Sequence, residues 1–369
     1  MRRTWLRLPE KPVEGFVHGY SLAAWPSIRW LDRLAEGPER ALLWPWTRRL
    51  VIDRPIFIVG AFRSGTTILE RIVADHPRVG HFWFLTNVYS RSPATGYALA
   101  RLLQALGILD RGGTPIIHNP RIPSTLFSPY ECEWIWSRSA RSLWDEQCTD
   151  LTVGADFSDP TFERYLFSLV RRHLLVQRAA RFMNKNPINC LRLGYLHKLF
   201  PDARFVFIRR APLDTILSHY RTAARVERIV SADVGVWRIF EKNLRMTTLN
   251  VRIKTPTYAQ TLALDREHPL LGIANQWKDL NAAVLDNLPA LADQVLLLRY
   301  EELVARPAAV LERLWAFVEL TDAAAEAISR AYVPRLTPPP PLDLTVEERR
   351  LLPRIREIVS PVAERLGYA

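Results

Sequence analysis

Cysteine is scarce in this chain: three residues, Cys132, Cys148 and Cys190, in 369. None stands in a CxxC pair or at Cys/His ligand spacing, which argues against a disulfide framework and structural zinc and suits a reducing compartment. No run of 18 apolar residues occurs, so no membrane span is expected. The basic start, Met1-Arg2-Arg3-Thr4-Trp5, lacks the apolar block of a signal peptide, and the expected location is the cytoplasm. Long polar or low-complexity tracts are missing too. With 48% hydrophobic and 24% charged residues, the chain can bury a large core. Acid is in deficit, 38 Asp and Glu against 50 Lys and Arg, a formal +12. Such a field attracts nucleic acid, acidic lipid or a polyanionic cofactor alike. The positive charge is spread through helices and no nucleic-acid motif is present, so a nucleic-acid partner is not expected.

Residues 1–50 read as a Trp/Arg-rich extension, with Trp5, Trp25, Trp30, Trp44 and Trp46 punctuated by prolines. Short helices are expected here that either pack over the main domain or touch the inner membrane face. Residues 51–369 read as one domain. Pro55-Ile56-Phe57-Ile58-Val59-Gly60 is a buried strand, followed by a Gly/Ser/Thr loop and an amphipathic helix ending near His76-Pro77. Arg204–Ile208 and Val295–Tyr300 give two further strands, each leading into a helix. Strands alternating with helices predict an α/β fold of three layers, a mainly parallel sheet with helices on both faces. Pro338–Pro341 connects to a last helix from Thr345 to about Leu366.

The first loop lacks one residue that would have settled its chemistry. Gly60 and Gly65 stand at P-loop spacing and Thr67 holds the hydroxyl position, but Thr66 replaces the lysine that reaches the β- and γ-phosphates of a nucleoside triphosphate. The backbone cradle for an anion remains. A cation comes earlier, as Arg63, with Ser64 beside it. A P-loop small-molecule kinase is therefore the second choice.

The segment Ile58–Pro77, IVGAFRSGTTILERIVADHP, resembles the 5′-phosphosulfate loop of sulfotransferases that use 3′-phosphoadenosine 5′-phosphosulfate (PAPS), with Phe62 where the family typically has proline. That resemblance implies a P-loop-type fold and a second motif, a strand ending in Arg with a Ser eight residues later, both for the cofactor's 3′-phosphate. Arg210 and Ser218 in FVFIRRAPLDTILSHYR meet that spacing, with Ala211 where a polar or acidic residue is usual. Leu298-Arg299-Tyr300-Glu301-Glu302-Leu303 is similar to the family's late Arg-Tyr-Glu-x-Leu strand end, so Tyr300 is a further candidate for cofactor contact. The implied cofactor set is Arg63, Ser64, Gly65, Thr66, Thr67, Arg210, Ser218 and Tyr300. The expected product is 3′,5′-adenosine bisphosphate, formed without an essential metal; beside the kinase, the other alternative is a sulfotransferase-like nucleotide-binding protein without activity.

Sulfuryl transfer demands alignment and charge stabilisation at the leaving oxygen. Arg63 is the first candidate. Lys185 is the second, because Asn184-Lys185-Asn186-Pro187 resembles the Asn-Lys-x-Pro segment of tyrosylprotein sulfotransferases and bacterial relatives, and a shaped loop is expected around it. The glutamate those enzymes carry after the first helix is missing from Val79–Phe84. The general base is therefore sought at Glu131 first, His81 second and Glu133 third; Ser128–Trp134 resembles a Pro-x-Glu-x-Glu stretch of bacterial sulfotransferases. Acceptor-site insertions are placed near 81–145 and 222–280. Their aromatic side chains, Phe82, Trp83, Phe84, Trp134, Trp136, Trp144, Trp237, Phe240 and Trp277, favour an apolar or aromatic hydroxylated acceptor such as a lipid, polyketide, terpenoid or phenol.

Overall fold

The structure is a computed structural model that describes residues 26–108, 114–116, 119–139, 142–143, 145, 147–231 and 253–368. Trp5, Trp25, Trp144, Trp237 and Phe240 lie outside the described residues.

Five strands make one parallel sheet in the order β2-β5-β1-β6-β7: β1 Ile56–Val59, β2 Val79–His81, β5 Arg181–Lys185, β6 Arg204–Arg209 and β7 Val295–Arg299. The central strand explains the layering. Ile56 and Ile58 point into one apolar cluster, with Met183, Val206 and Ile208. Phe57 and Val59 point into the other, with Phe182, Phe205 and Phe207. A strand buried on both faces needs an unbroken apolar run, which this one has. Helices α2 (Thr66–Ala74), α10 (Pro307–Phe317) and α11 (Ala323–Tyr332) cover the first face. Helices α4 (Pro160–Gln177), α5 (Leu193–Leu199), α6 (Pro212–Ser231), α8 (Pro269–Leu291) and α12 (Val346–Arg365) cover the second. The three-layer α/β expectation stands.

The remaining helices are α1 (Pro26–Thr47), α3 (Pro93–Ala105), α7 (Tyr258–Glu267) and α9 (Tyr300–Ala305). An antiparallel hairpin, β3 (Thr114–Ile116) and β4 (Asn119–Ser124), sits within the first insertion. Because β1 lies centrally, with β5 on one side and β6 on the other, the loop after β1 occupies a point where the chain's direction of travel across the sheet changes. Open α/β sheets bind ligands at such a place.

The expected short helices before residue 50 are, from Pro26 onward, one helix of 22 residues. It docks acids inward. Asp32 accepts from the Arg91 and Ser92 amides and from Ser92 Oγ, and Glu39 accepts from Thr95 and pairs at 2.9 Å with buried Arg172 of α4. Asp32 and Glu39 thus supply the first turn of α3 with acceptors and negative charge, which a helix N-terminus favours. Trp30, Leu31, Leu34, Leu42, Trp44 and Trp46 are left facing out.

Candidate active site

The loop joining β1 to α2 is shaped by backbone that ordinary residues resist. Gly60 has φ +153°, and a Cβ there would lie 2.3 Å from the Ile208 carbonyl oxygen. Gly65, the N-cap of α2, has φ +104°, and a Cβ there would meet the Tyr300 ring at 2.6 Å. Arg63 itself is left-handed at φ +71°, a costly conformation for a non-glycine residue that marks functional turns.

That turn delivers Arg63 to the second motif. Arg63 Nε donates to Ser218 Oγ on α6 at 3.2 Å. Arg210, at the end of β6, donates from Nη1 to the Arg63 carbonyl at 3.3 Å and lays its guanidinium 4.5 Å from the centre of the Tyr300 ring. Arg63, Gly65, Arg210, Ser218 and Tyr300, far apart in sequence, therefore form one cluster at the carboxyl ends of three adjacent strands. Among the described residues its one ion pair is the long contact between Arg210 and Asp214. Burial and then Arg210 and Arg225 push the Arg63 guanidinium below its ordinary value, and the nearest acid to Arg210 is Asp214 at 4.0 Å. Two buried donors, Ser64 Oγ and Arg210 Nε, have no protein partner. Cations, an orphaned hydroxyl and an orphaned guanidinium N–H, and a glycine cradle too tight for a methyl group fit a phosphorylated nucleotide. Phe62, in the family's proline position, stacks on His219 of α6 at 5.4 Å. Ala211 leaves its amide to be capped by Glu301 at 2.8 Å, so an acid from the late motif stands in for the missing polar neighbour.

Lys185 is the last residue of β5, not part of a loop as the sequence suggests. Its side chain is 4% exposed and lies between two carboxylates, Glu131 Oε1 at 2.5 Å and Glu70 Oε2 at 3.4 Å. Burial opposes the ammonium, but Glu131 and Glu70 outweigh it and hold Lys185 above the usual lysine range. Glu131 is open to solvent over 32% of its side chain; Glu70, on α2, is closed in at 4%. Burial pushes the Glu70 carboxyl up to about 7 against the pull of Lys185. Ionising it costs the fold. Its folded value exceeds the unfolded 4.5, so this contribution to stability declines as pH rises from about 4.5 to about 7.

The other two base candidates are placed differently. Glu133 is gripped by Arg192 through both oxygens, at 2.8 and 2.5 Å, and accepts from Asn186 at 2.6 Å. That fork is itself stacked on Trp136 at 3.9 Å. His81 donates from Nε2 to the Phe127 carbonyl at 3.4 Å, and burial pushes the ring down to about 4, which makes it a weak proton acceptor. The structure brings Glu131 to Lys185 and brings neither Glu133 nor His81 into hydrogen-bond contact with it. Sequence reasoning missed Glu70. The available signal was position: Thr66, Glu70 and Val73 share the buried stripe of α2, where an acid without a partner would be expensive.

Most of the aromatic stripe is core. Phe82, Trp83, Trp136 and Trp277 are each at most 4% exposed, and Trp83 packs on Tyr97, Phe127 and His173. Phe84 and Trp134 stay half-buried beside Tyr130 and Glu133. Among the described residues no three His, Cys, Asp or Glu side chains are grouped to hold a metal.

A parallel sheet with an anion loop after its central strand defines the P-loop-type class of nucleotide-binding fold. Within that class the sulfotransferase family model matches residues 55–324, and the chain belongs to this family. It is 26% identical over 185 residues to omega-hydroxy-beta-dihydromenaquinone-9 sulfotransferase Stf3 of Mycobacterium bovis, covering 44% of this chain and 43% of that protein. It is 26% identical over 269 residues to nodulation protein NoeE of Sinorhizobium fredii, covering 70% and 48%. The matches thus span less than half the length of these curated relatives. The fold is shared with sulfotransferase STF9 from Mycobacterium avium (TM-score 0.57, 18% identity, 97% of this chain and 90% of that one). It is shared also with STF1 from Mycobacterium tuberculosis (TM-score 0.50, 16% identity, 94% and 85%). These comparisons support bacterial sulfotransferases as a group, without a particular tie to the tyrosylprotein enzymes, and do not favour the kinase alternative.

Proposed function

We propose that this protein transfers the sulfuryl group of PAPS directly, in line, to a hydroxyl of a lipophilic acceptor. The observation that carries the reading is the meeting of the two anion motifs, Arg63 Nε on Ser218 Oγ at 3.2 Å, with Arg210 bonded to the same turn. PAPS supplies an activated sulfuryl group on a 5′-phosphate, together with a 3′-phosphate. The loop amides, Ser64, Thr66 and Thr67 would hold the 5′ end and Arg210 and Ser218 the 3′-phosphate, with Tyr300 closing the cradle. Lys185 and Arg63 supply positive charge for the leaving oxygen, and Glu131, half open beside Lys185, accepts the acceptor's proton. The hydroxylated menaquinone in the name of the Mycobacterium bovis relative favours a lipophilic alcohol; the aromatic stripe, being largely core, adds less than its sequence suggests.

The cofactor half is tested by thermal shift, since a ligand of the folded state raises apparent stability. The 3′,5′-bisphosphate should stabilise the protein well beyond 5′-AMP, and Arg210→Ala should remove most of that difference. Equal shifts from ATP-Mg²⁺ and the bisphosphate would return the case to the kinase.

A pH profile tests the site's charge. With Glu70 protonated, the Lys185 ammonium faces one carboxylate; with Glu70 ionised it faces two, and the pocket turns against an anionic donor. Catalytic efficiency for PAPS should therefore fall as pH rises through about 7, following Glu70. Glu70→Gln should flatten that limb. Persistence of the limb in the variant assigns it elsewhere.

We place the enzyme's work at an anionic lipid surface, reached through α1. Its exposed Trp30, Trp44, Trp46 and leucines stand beside exposed Arg33, Arg40, Arg48 and Arg49, a pairing that suits headgroup depth. Among the described residues no helix is long and apolar enough to cross a membrane. Intact protein should sediment with phosphatidylglycerol vesicles at low salt, and changing Trp30, Trp44 and Trp46 to Ser should release most of it. Wild-type protein that stays in the supernatant ends this reading.

A further inference from the structure

A cavity of about 230 Å³ lies between α1 and the two short 3₁₀ turns at Phe84–Asn87 and Glu133–Arg138. It is polar. Arg33, Arg91 and Arg138 line it with Asn87, Ser90, Ser137, Trp134 and a single carboxylate, Asp32.

The acid is already committed. Asp32 accepts from the Arg91 and Ser92 amides and from Ser92 Oγ, so its lone pairs face α3. Arg91 is likewise engaged, by Glu36 at 2.7 Å.

Arg138 is different. Its guanidinium lies 4.0 Å from the Tyr165 ring centre, its hydrogen bond to Ser90 Oγ is long at 3.4 Å, and among the described residues no carboxylate forms an ion pair with it. Burial and then Arg91 weaken its hold on its proton, with Tyr165, Glu36 and Asp32 acting the other way. Asn87 adds a second unspent donor: it is 7% exposed, and its Nδ2 has no partner. A buried amide donor left unpaired costs on the order of 1–3 kcal/mol, so a ligand acceptor is the natural completion. The same 3₁₀ turn that presents Arg138 and Trp134 begins two residues after Glu131. Glu131 therefore stands three residues before Trp134 of the cavity wall, and none of Arg63, Arg210, Ser218 and Tyr300 lines the cavity.

We propose that this cavity receives an oxyanion, a carboxylate or phosphate, carried by the acceptor itself, with Arg138 and Asn87 as its principal donors. The acceptor is then an amphiphile, its hydroxyl directed to Glu131 and its negative end held under α1. This rests on the sulfotransferase reading above and narrows the substrate class within it.

The experiment keeps the two readings apart by saturating the protein with 3′,5′-adenosine bisphosphate first, which occupies the anion loop and independently tests the cofactor half. Binding of 6-hydroxyhexyl phosphate and of inorganic phosphate is then measured by calorimetry. Wild-type protein should bind the hydroxyalkyl phosphate more tightly than phosphate alone. Arg138→Ala should weaken it on the order of ten- to a hundred-fold, as expected for a lost charge-assisted hydrogen bond, with bisphosphate affinity unchanged as the check on folding. Ser137→Asp, which sets a negative charge on the cavity wall, should weaken it as well. Equal binding by wild type and both variants overturns the proposal. So does equal affinity for the two probes, which would make the cavity a free-anion site. Failure to bind the bisphosphate at all would instead sink the cofactor reading.

Discussion

Replacing Lys185 with methionine is expected to lower turnover on the order of 10²–10³-fold while leaving bisphosphate affinity within a few-fold of wild type. The separation follows from where the ammonium sits. It ends β5, next to β1 in the sheet and beside the carboxylates of Glu131 and Glu70, whereas the motifs proposed for the nucleotide are gathered around β1, β6 and β7. A positive charge held by two acids before the reaction begins needs no reorganisation when negative charge develops on the leaving oxygen. Methionine keeps the volume and removes the charge, and Glu70 then retains its proton more firmly because the pull of Lys185 is gone. A single-turnover assay with labelled PAPS and any acceptor that supports wild-type turnover measures the effect. Normal turnover in the variant would remove Lys185 from the chemistry; equal loss of bisphosphate affinity would make it a binding residue.

The two motifs that meet at Arg63 and Ser218 were legible because each is local. A strand, a glycine turn and a helix start within about ten residues, and the second motif runs from β6 through Arg210 and Ala211 into a helix that begins at Pro212. The β1 and β6 runs, apolar on both faces, announce buried parallel strands. The strand ending in Lys185 announces nothing of the kind. Arg181-Phe182-Met183-Asn184-Lys185 carries polar residues at both ends, and they are buried because distant partners receive them: Arg181 donates to the Arg54 and Val318 carbonyls at 2.9 and 3.0 Å, and Lys185 to the Glu131 carboxylate. Periodicity cannot register a partner 127 or 137 residues away. β2 is hidden by brevity, three residues that include a glycine. Glu70 was overlooked for a related reason, since its cost on a buried stripe is met by Lys185 from another strand. Helix α1 inverts the usual rule, its acids inward and its tryptophans outward, so composition could name either a cover or a membrane face without saying which side each residue takes.

Glu131→Gln is expected to cost on the order of 10²–10⁴ in turnover toward an aliphatic alcohol, the range typical of a positioned general base. Glutamine keeps an oxygen that can accept from Lys185, so the contact at 2.5 Å has a replacement and the proton acceptor alone is lost. The acceptor's acidity then becomes the diagnostic. A nitrophenol already ionised at the assay pH brings no proton to remove, so the same substitution should cost it about ten-fold or less. Glu133→Gln supplies the contrast. That carboxylate holds buried Arg192 through both oxygens, and neutralising it leaves the guanidinium under-compensated, so the expected loss is in thermal stability. A Glu131→Gln enzyme equally impaired toward alcohol and phenolate would show that Glu131 steadies Lys185 and takes no proton. The base would then have to come from the acceptor itself or from residues outside the Lys185 cluster.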